Sequence, residues 1–353
     1  MPGVRPNVRA MAGYTPGEQP RGGEYVKLNT NENPYPPSPR VFEAIRAALT
    51  GDRLRKYPEP LGDTFREAAA AVLSVRPEQI LIGNGSDDIL TILTRTFVPE
   101  GGLVASPTPS YTLYKSLAEI QGARFATVPF KPDWSLPNPW PGETPDLLFI
   151  ANPNSPTGTF ADTLAINQLA RQLNRPVVCD EAYVDFAPTA TDGLPYTGNP
   201  NFIVTRTLSK SYALAGLRFG FAVAHPDVIR ELVKVKDSYN CDVLSLAAAT
   251  AALRDRDYLA ETRRKILATR TRLTKSLRDL GFTVLPSEAN FVWAQRTDRP
   301  VKPLYEGLKE RRILVRYMSY TGYGDGLRVS VGTDAEIDRF LSELASLLAS
   351  GAA

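Results

Sequence analysis

The spacing of apolar residues along the chain changes character three times. Residues 1–38 are rich in Pro, Gly and Asn and include KLNTNENPYPPSP. Such a stretch holds no regular structure for long and predicts an extended arm. From 39 to 49, Val41, Ile45 and Leu49 recur every four residues, the mark of an amphipathic helix. A YPEP turn at 57–60 leads into a second helix over 61–73. Continuous apolar runs then appear at 80–82, 103–105, 147–150, 177–179, 202–204 and 219–223, most of them separated by helical stretches. Runs without two-residue alternation predict strands buried on both faces, hence an α/β domain whose largely parallel sheet is covered by helices. Ligands collect at the carboxyl ends of such strands.

After Pro226 the pattern is helical to 236 and again over 243–280. Strands follow at 282–285 and 289–294, then a helix to 312, strands at 313–315 and 327–331, and a last helix. That helix opens with TDAE at 333–336, a capping box, and lines up Ile337, Phe340, Leu341, Leu344 and Leu348 on one face. The expected organisation is an arm with part of the small domain (1–38), a large domain (39–242) and a smaller α+β domain (243–353).

Composition narrows the function classes. The 353 residues carry 41 Lys+Arg against 38 Asp+Glu, too balanced for a basic footprint that would seek nucleic acid or a membrane. The first residues contain no apolar segment of signal-peptide type, and the run 244–253 is too short to span a bilayer, so the cytoplasm is the expected location. Two cysteines, Cys179 and Cys241, build neither a disulfide framework nor a cysteine-rich metal site. The single histidine, His225, stands before Pro226 and reads as a capping residue; one histidine supports neither a Ser-His-Asp triad nor a multi-histidine metal centre.

The chemistry concentrates at the ends of the predicted strands. TRTLSKSYALAGLRFG, 205–220, places Ser209, Lys210 and Arg218 on one loop. A lysine that can lose its proton attacks a carbonyl, and a neighbouring arginine both favours that loss and holds a phosphate, the pair that an aldehyde cofactor such as pyridoxal phosphate requires. In VVCDEAYVDF, 177–186, Asp180 closes a strand that should be buried, where a carboxylate needs a cation or donors. A protonated pyridine nitrogen is one such cation, and a structural ion pair is the alternative. Tyr183 follows at reach of a phenolic oxygen. GNGSDDILTILTRTF, 83–97, reads either as a phosphate site on the bare N–H groups near Gly85, Ser86 and Asp87 or as plain N-capping, since Asp87 and Asp88 repel an anion. Tyr111, in SPTPSYTLY, could stack on a planar ring or pack in the core. The asparagines of ANPNSPTG, 151–158, could donate to an oxygen or simply make a turn. Arg328 in GLRVSVG and Arg316 in RRILVRY could each grip a carboxylate or phosphate, or be solvated edge charges.

Together DEAY, SK, LAGLRFG, NPNSPTG and LRVSVGT resemble the fold-type-I pyridoxal-phosphate aminotransferases, whose fold is that of aspartate aminotransferase. LNTNENP, YPEP, GNGSDD and ILVRY are similar to the histidinol-phosphate aminotransferase branch. The resemblance spans about residues 14–333. It implies that Lys210 bonds covalently to the cofactor's aldehyde, that Asp180 meets the pyridine nitrogen, Tyr183 the phenolic oxygen and Tyr111 the ring face. It also implies a phosphate held by Ser209, Arg218, the N–H groups of Gly85, Ser86 and Asp87, and Tyr57 reaching over from the second subunit of a homodimer. Tyr14, Asn31, Asn240, Arg316 and Arg328 would bind substrate. The chain departs from the family at Ser155, where asparagine is usual; either the neighbouring Asn154 shifts in as donor to the phenolic oxygen, which makes it the candidate, or Ser155 does weaker duty there. The implied reaction is transamination between histidinol phosphate and 2-oxoglutarate; aromatic amino acids as substrates, or decarboxylation of phosphothreonine on the same scaffold, are the alternatives.

Overall fold

The structure is a computed structural model and describes residues 3–20, 22–187 and 192–350. Seven strands form the larger sheet, in the order Ile80–Gly83, Gly220–Val223, Phe202–Thr207, Val177–Asp180, Leu147–Ala151, Leu103–Thr108 and Arg124–Pro129. Six of them share one direction, and Gly220–Val223 runs against them. Parallel neighbours need a crossover that carries the chain back to its starting edge. Residues 208–219 contain no α-helix to do so, and Leu208 N–H donates to the Phe219 carbonyl across the loop at 3.0 Å. The chain therefore returns antiparallel.

Every residue of Leu147–Ala151 and Val177–Asp180 is buried, as uninterrupted apolar runs demand. One face of the sheet packs Ile82, Ile150, Cys179 and Val204 under helices; the other packs Phe149, Val178 and Ile203 against Leu90 and Leu93. The edge strand Arg124–Pro129 was not among the predicted elements. Only Val128 of its six residues is buried, so it offers no continuous run to read.

The stretch expected to be one helix-rich segment is two helices, Val243–Arg254 and Arg256–Asp279, broken at Asp255. The first packs on Pro39–Ala48 and Asp63–Leu73, where small side chains (Ala48, Ala69, Ala248, Ala249, Ala252) let the backbones approach. By packing it belongs with the core of the larger sheet. Beyond it, a four-stranded antiparallel sheet runs in the order Arg316–Tyr320, Gly324–Ser330, Phe291–Gln295, Thr283–Val284. Arg256–Asp279, Lys302–Glu310 and Asp334–Ala349 cover it through Leu273, Leu277, Leu304, Phe340 and Leu344. Arg316, expected at the end of one strand, instead begins the next and lies opposite Arg328.

The arm is more tied down than its composition suggests. Val26–Lys27 pairs in parallel with Ile313–Leu314, and Asn7, on the short helix Pro6–Ala10, donates to the Glu119 carbonyl at 2.7 Å.

The last helix carries the predicted capping box: Thr333 Oγ1 accepts from Glu336 N–H at 3.3 Å, and Glu336 Oε2 accepts from Thr333 N–H at 2.7 Å. Thr333→Ala is expected to cost about 1 kcal/mol of stability in chemical denaturation, and Thr333→Ser to restore most of it.

Candidate active site

A cavity of about 260 Å³ lies where the carboxyl ends of the large sheet's strands face the smaller sheet. Asp180 ends the strand Val177–Asp180 between Ala151 and Thr205 of the neighbouring strands. Its carboxylate is buried, with Tyr114 donating to Oδ2 at 2.7 Å and Thr205 donating to Oδ1 at 3.1 Å. Burial pushes its pKa up to about 6, against the pull of these two donors. Lys210 lines the same cavity from the return loop. Its Nζ donates to the Thr30 carbonyl at 3.0 Å and stands 5.9 Å from the centre of the Tyr183 ring. Burial, then the nearby Arg328, bring the amine down to about 8, with Glu32 and Asp87 opposing. An amine of that pKa is a usable nucleophile and base near neutral pH.

One end of the cavity gathers hydrogen-bond donors around the start of a helix. Ser86–Phe97 starts there behind Gly85, whose φ of +84° suits glycine. A side chain on Gly85 would meet the Arg218 guanidinium at 2.6 Å, and one on Gly220 would meet Ser86 N at 2.5 Å. The two glycines thus let the return loop close against the helix start. Arg218 itself sits at φ +48° and donates to Ser209 Oγ at 3.4 Å and Asp87 Oδ2 at 3.5 Å. The two acids that argued against a phosphate take different duties. Asp88 turns away, accepting from Asn84 N–H at 2.9 Å and Asn240 Nδ2 at 2.7 Å, while Asp87 faces Arg218 and the Tyr111 hydroxyl.

The other end presents cations to the cavity. Arg328 is half-buried; its two terminal nitrogens donate to Ser155 Oγ and the Asn29 carbonyl, each at 3.0 Å. Arg316 donates to the carbonyls of Thr15 at 3.1 Å and Pro16 at 3.2 Å. Among the described residues neither arginine has a carboxylate partner. Asn31 donates from Nδ2 to the Tyr183 hydroxyl at 3.0 Å. Tyr14 stands edge-on to Tyr111, centroids 6.0 Å apart.

Lys210, Asp180, Tyr183, Ser86, Asp87, Tyr111, Ser209, Arg218, Tyr14, Asn31, Arg316 and Arg328 therefore line one cavity, with Gly85 behind it. Three expected residues do not. Asn154 is spent on the Pro109 carbonyl, Thr157 and Ser110, so Ser155 and not Asn154 faces the cavity. Asn240 is held by Asp88 and Lys236 outside it. Tyr57 is 80% exposed and stacks on Tyr239 at 4.4 Å, away from the cavity of its own chain. Tyr114 and Thr205 were not anticipated; the signal available was a tyrosine three residues after Tyr111 and a threonine directly after the apolar run Phe202–Val204 in the strand next to Asp180.

The chain matches the model of the family aminotransferase class I and II over residues 23–344. It is 51% identical to a histidinol-phosphate aminotransferase of Rhodopirellula baltica, covering 95% of this chain and 92% of that protein. Identity to the enzyme of the same name from Geotalea daltonii is 46%, over 98% and 99% of the two chains. The fold superposes with a TM-score of 0.87 on the histidinol-phosphate aminotransferase of Sinorhizobium meliloti solved in complex with pyridoxal-5'-phosphate, at 27% identity and 99% and 98% coverage. A Thermus thermophilus aspartate aminotransferase variant shares the fold at a TM-score of 0.83, 23% identity and 98% and 100% coverage. The chain belongs to the aminotransferase class I and II family.

Proposed function

We propose that the chain catalyses transamination between histidinol phosphate and 2-oxoglutarate, the histidine-biosynthetic reaction, with pyridoxal 5'-phosphate as cofactor. One observation carries the reading: a buried acid, Asp180, and a half-buried amine, Lys210, line a single cavity that has donors for a phosphate at one end and uncompensated arginines at the other. The residues fit the cofactor by their chemistry. Arg218, Ser209 and the start of Ser86–Phe97 are donors for its phosphate, Asp180 is an acid for its ring nitrogen, and Tyr183 a hydroxyl for its phenolic oxygen. When bound, the cofactor offers an aldehyde for amine exchange and an electron-poor ring that withdraws charge from the substrate's Cα.

The protein's own groups do the rest. Lys210 Nζ would be the group that holds the cofactor's aldehyde carbon and, as a free amine, would be the base that takes the proton from the substrate's Cα and delivers it to that same cofactor carbon. Thr30's carbonyl holds that amine in the cavity while it is free. Asp180 would hold a proton on the cofactor's ring nitrogen, and Tyr111 is the aromatic side chain available to cover its ring. Arg328 and Arg316 bind the anionic end of either substrate, phosphate in one half-reaction and carboxylate in the other. Ser155 takes the position where asparagine is usual, next to Arg328. We infer a homodimer in which Tyr57 from the second subunit completes the phosphate end. In support, Tyr57, Tyr239, Phe42, Leu49 and Leu54 are large apolar or aromatic side chains left exposed on a single chain. A cytoplasmic location goes with this reaction, and no helix among the described residues is long and apolar enough to cross a membrane.

Lys210→Ala is expected to remove both turnover and the visible absorbance of the bound cofactor; transamination retained by that variant refutes the assignment. Assay with 2-oxoglutarate against histidinol phosphate, phenylalanine and phosphothreonine should select the first, whereas carbon dioxide release from phosphothreonine marks a lyase. In cofactor-free protein, burial favours the neutral amine, so labelling of Lys210 by an amine-directed reagent, followed by peptide mass spectrometry, should rise with pH and reach half its maximum near 8. A midpoint at the ordinary lysine value would contradict the buried environment.

A further inference from the structure

The sheet brings Asp180 to the cavity, but two hydroxyls hold its carboxylate in place. One comes from Tyr114, on the first turn of the helix Leu113–Gln121, and the other from Thr205 on the adjacent strand. Tyr114 is fully buried, lies flat on Phe149 with centroids 4.7 Å apart and planes at 9°, and meets Tyr111 edge-on at 5.5 Å. The side chain that would cover the ring face and the acid that would meet the ring nitrogen are therefore both fixed by this one phenol.

We propose that Tyr114, assisted by Thr205, is a positioning residue of the reaction: its hydroxyl clamps one oxygen of the Asp180 carboxylate, keeps that carboxylate ionised and aimed, and so sets cofactor retention and the acid limit of activity. The inference rests on the transaminase reading above. Tyr114 suits this role because burial and the adjacent Asp180 raise its own pKa well above the usual phenol value, so it donates throughout the working range. The other titratable groups around Asp180 do not replace it. Asp87 opposes ionisation, Cys179 and Glu181 are its chain neighbours, Tyr111 and Tyr183 are half-buried phenols whose own pKa values are raised by desolvation, and Lys210 stands across the cavity. Removing the Tyr114 hydroxyl leaves Oδ2 buried without that donor, a state the carboxyl relieves by taking a proton. A neutral acid no longer pairs with a cationic ring.

The test uses full-length protein stripped of and reloaded with pyridoxal phosphate, comparing wild type, Tyr114→Phe, Thr205→Val, Asp180→Asn and the double variant Tyr114→Phe/Asp180→Asn. Tyr114→Phe is expected to weaken pyridoxal phosphate binding roughly tenfold and to move the acid limb of kcat/KM up by about one pH unit, the size of one lost hydrogen bond to a charged group. Thr205→Val should act in the same direction to a smaller extent, which keeps the proposal testable should Tyr114→Phe fold poorly. In the Asp180→Asn background the Tyr114 change should add less than about twofold, because the ionised partner is already gone. Tyr114→Phe and Thr205→Val proteins that melt earlier but keep wild-type cofactor affinity and acid limb overturn the proposal, as does an equal loss with and without Asp180. Wild-type protein that takes up no pyridoxal phosphate overturns the transaminase reading and this proposal together.

Discussion

A carboxylate buried at the end of a central strand is the constraint around which the site is arranged. Leaving such a group in an apolar interior without partners costs several kcal/mol, and a protein meets that cost with donors or gives up the charge. Here the strand Val177–Asp180 is buried throughout, and the acid falls at its last residue, where the sheet gives way to the cavity. The register does part of the work by setting Thr205 beside it, and the helix after Leu103–Thr108 does the rest by supplying Tyr114. Tertiary placement of two hydroxyls thus decides whether the residue can be an ion.

The short return between Phe202–Thr207 and Gly220–Val223 answers a second problem, how to bring an amine, a guanidinium and a helix start within reach of one small ligand. A long crossover would have delivered those groups to separate places. A twelve-residue loop that folds back antiparallel keeps Ser209, Lys210 and Arg218 near each other, at the expense of positive φ at Ala213 and Arg218. Glycine at 85 and 220 is what lets the backbone of Ser86–Phe97 come down on that loop. The same reversal makes Gly220–Val223 the one strand of its sheet that runs the other way.

How much of this the chain discloses on its own follows from which interactions are local. Buried strands announce themselves as unbroken apolar runs, so six of the large sheet's seven strands could be read directly. The exposed edge strand Arg124–Pro129 and the half-buried Arg316–Tyr320 have no such run and could not. The alanine-rich helix Val243–Arg254 was ascribed to the smaller domain because position along the chain says nothing of which layer an alanine face will meet. At the site, the convergence of Lys210, Asp180 and Arg218 on one cavity could be expected because burial of a charge in a strand, or cations on one loop, is improbable without chemistry. Asn154 and Asn240 were misplaced for the opposite reason. An amide serves equally as a turn brace or a ligand donor, and only the partners of its nitrogen and oxygen decide which. Tyr114 and Thr205 carry no charge and sit in ordinary core patterns, so their role appears only when the strands are laid side by side.

The two arginines at the far end of the cavity show how a site keeps its charge available. Arg316 and Arg328 lie directly across from each other on adjacent antiparallel strands, a like-charge pair that a sheet does not favour. Carboxylate partners would relieve the repulsion but would also cancel the field that attracts an anion. The fold uses neutral acceptors instead: the carbonyls of Thr15 and Pro16 for Arg316, and the Asn29 carbonyl with the Ser155 hydroxyl for Arg328. Carbonyl and hydroxyl dipoles fix both guanidinium planes without supplying negative charge, so the positive field at this end of the cavity is not cancelled by the protein. Three of those four acceptors belong to residues 15–29, which explains why the arm is pinned at Val26–Lys27 to the strand just before Arg316. An unanchored arm could not hold two cations at a fixed separation.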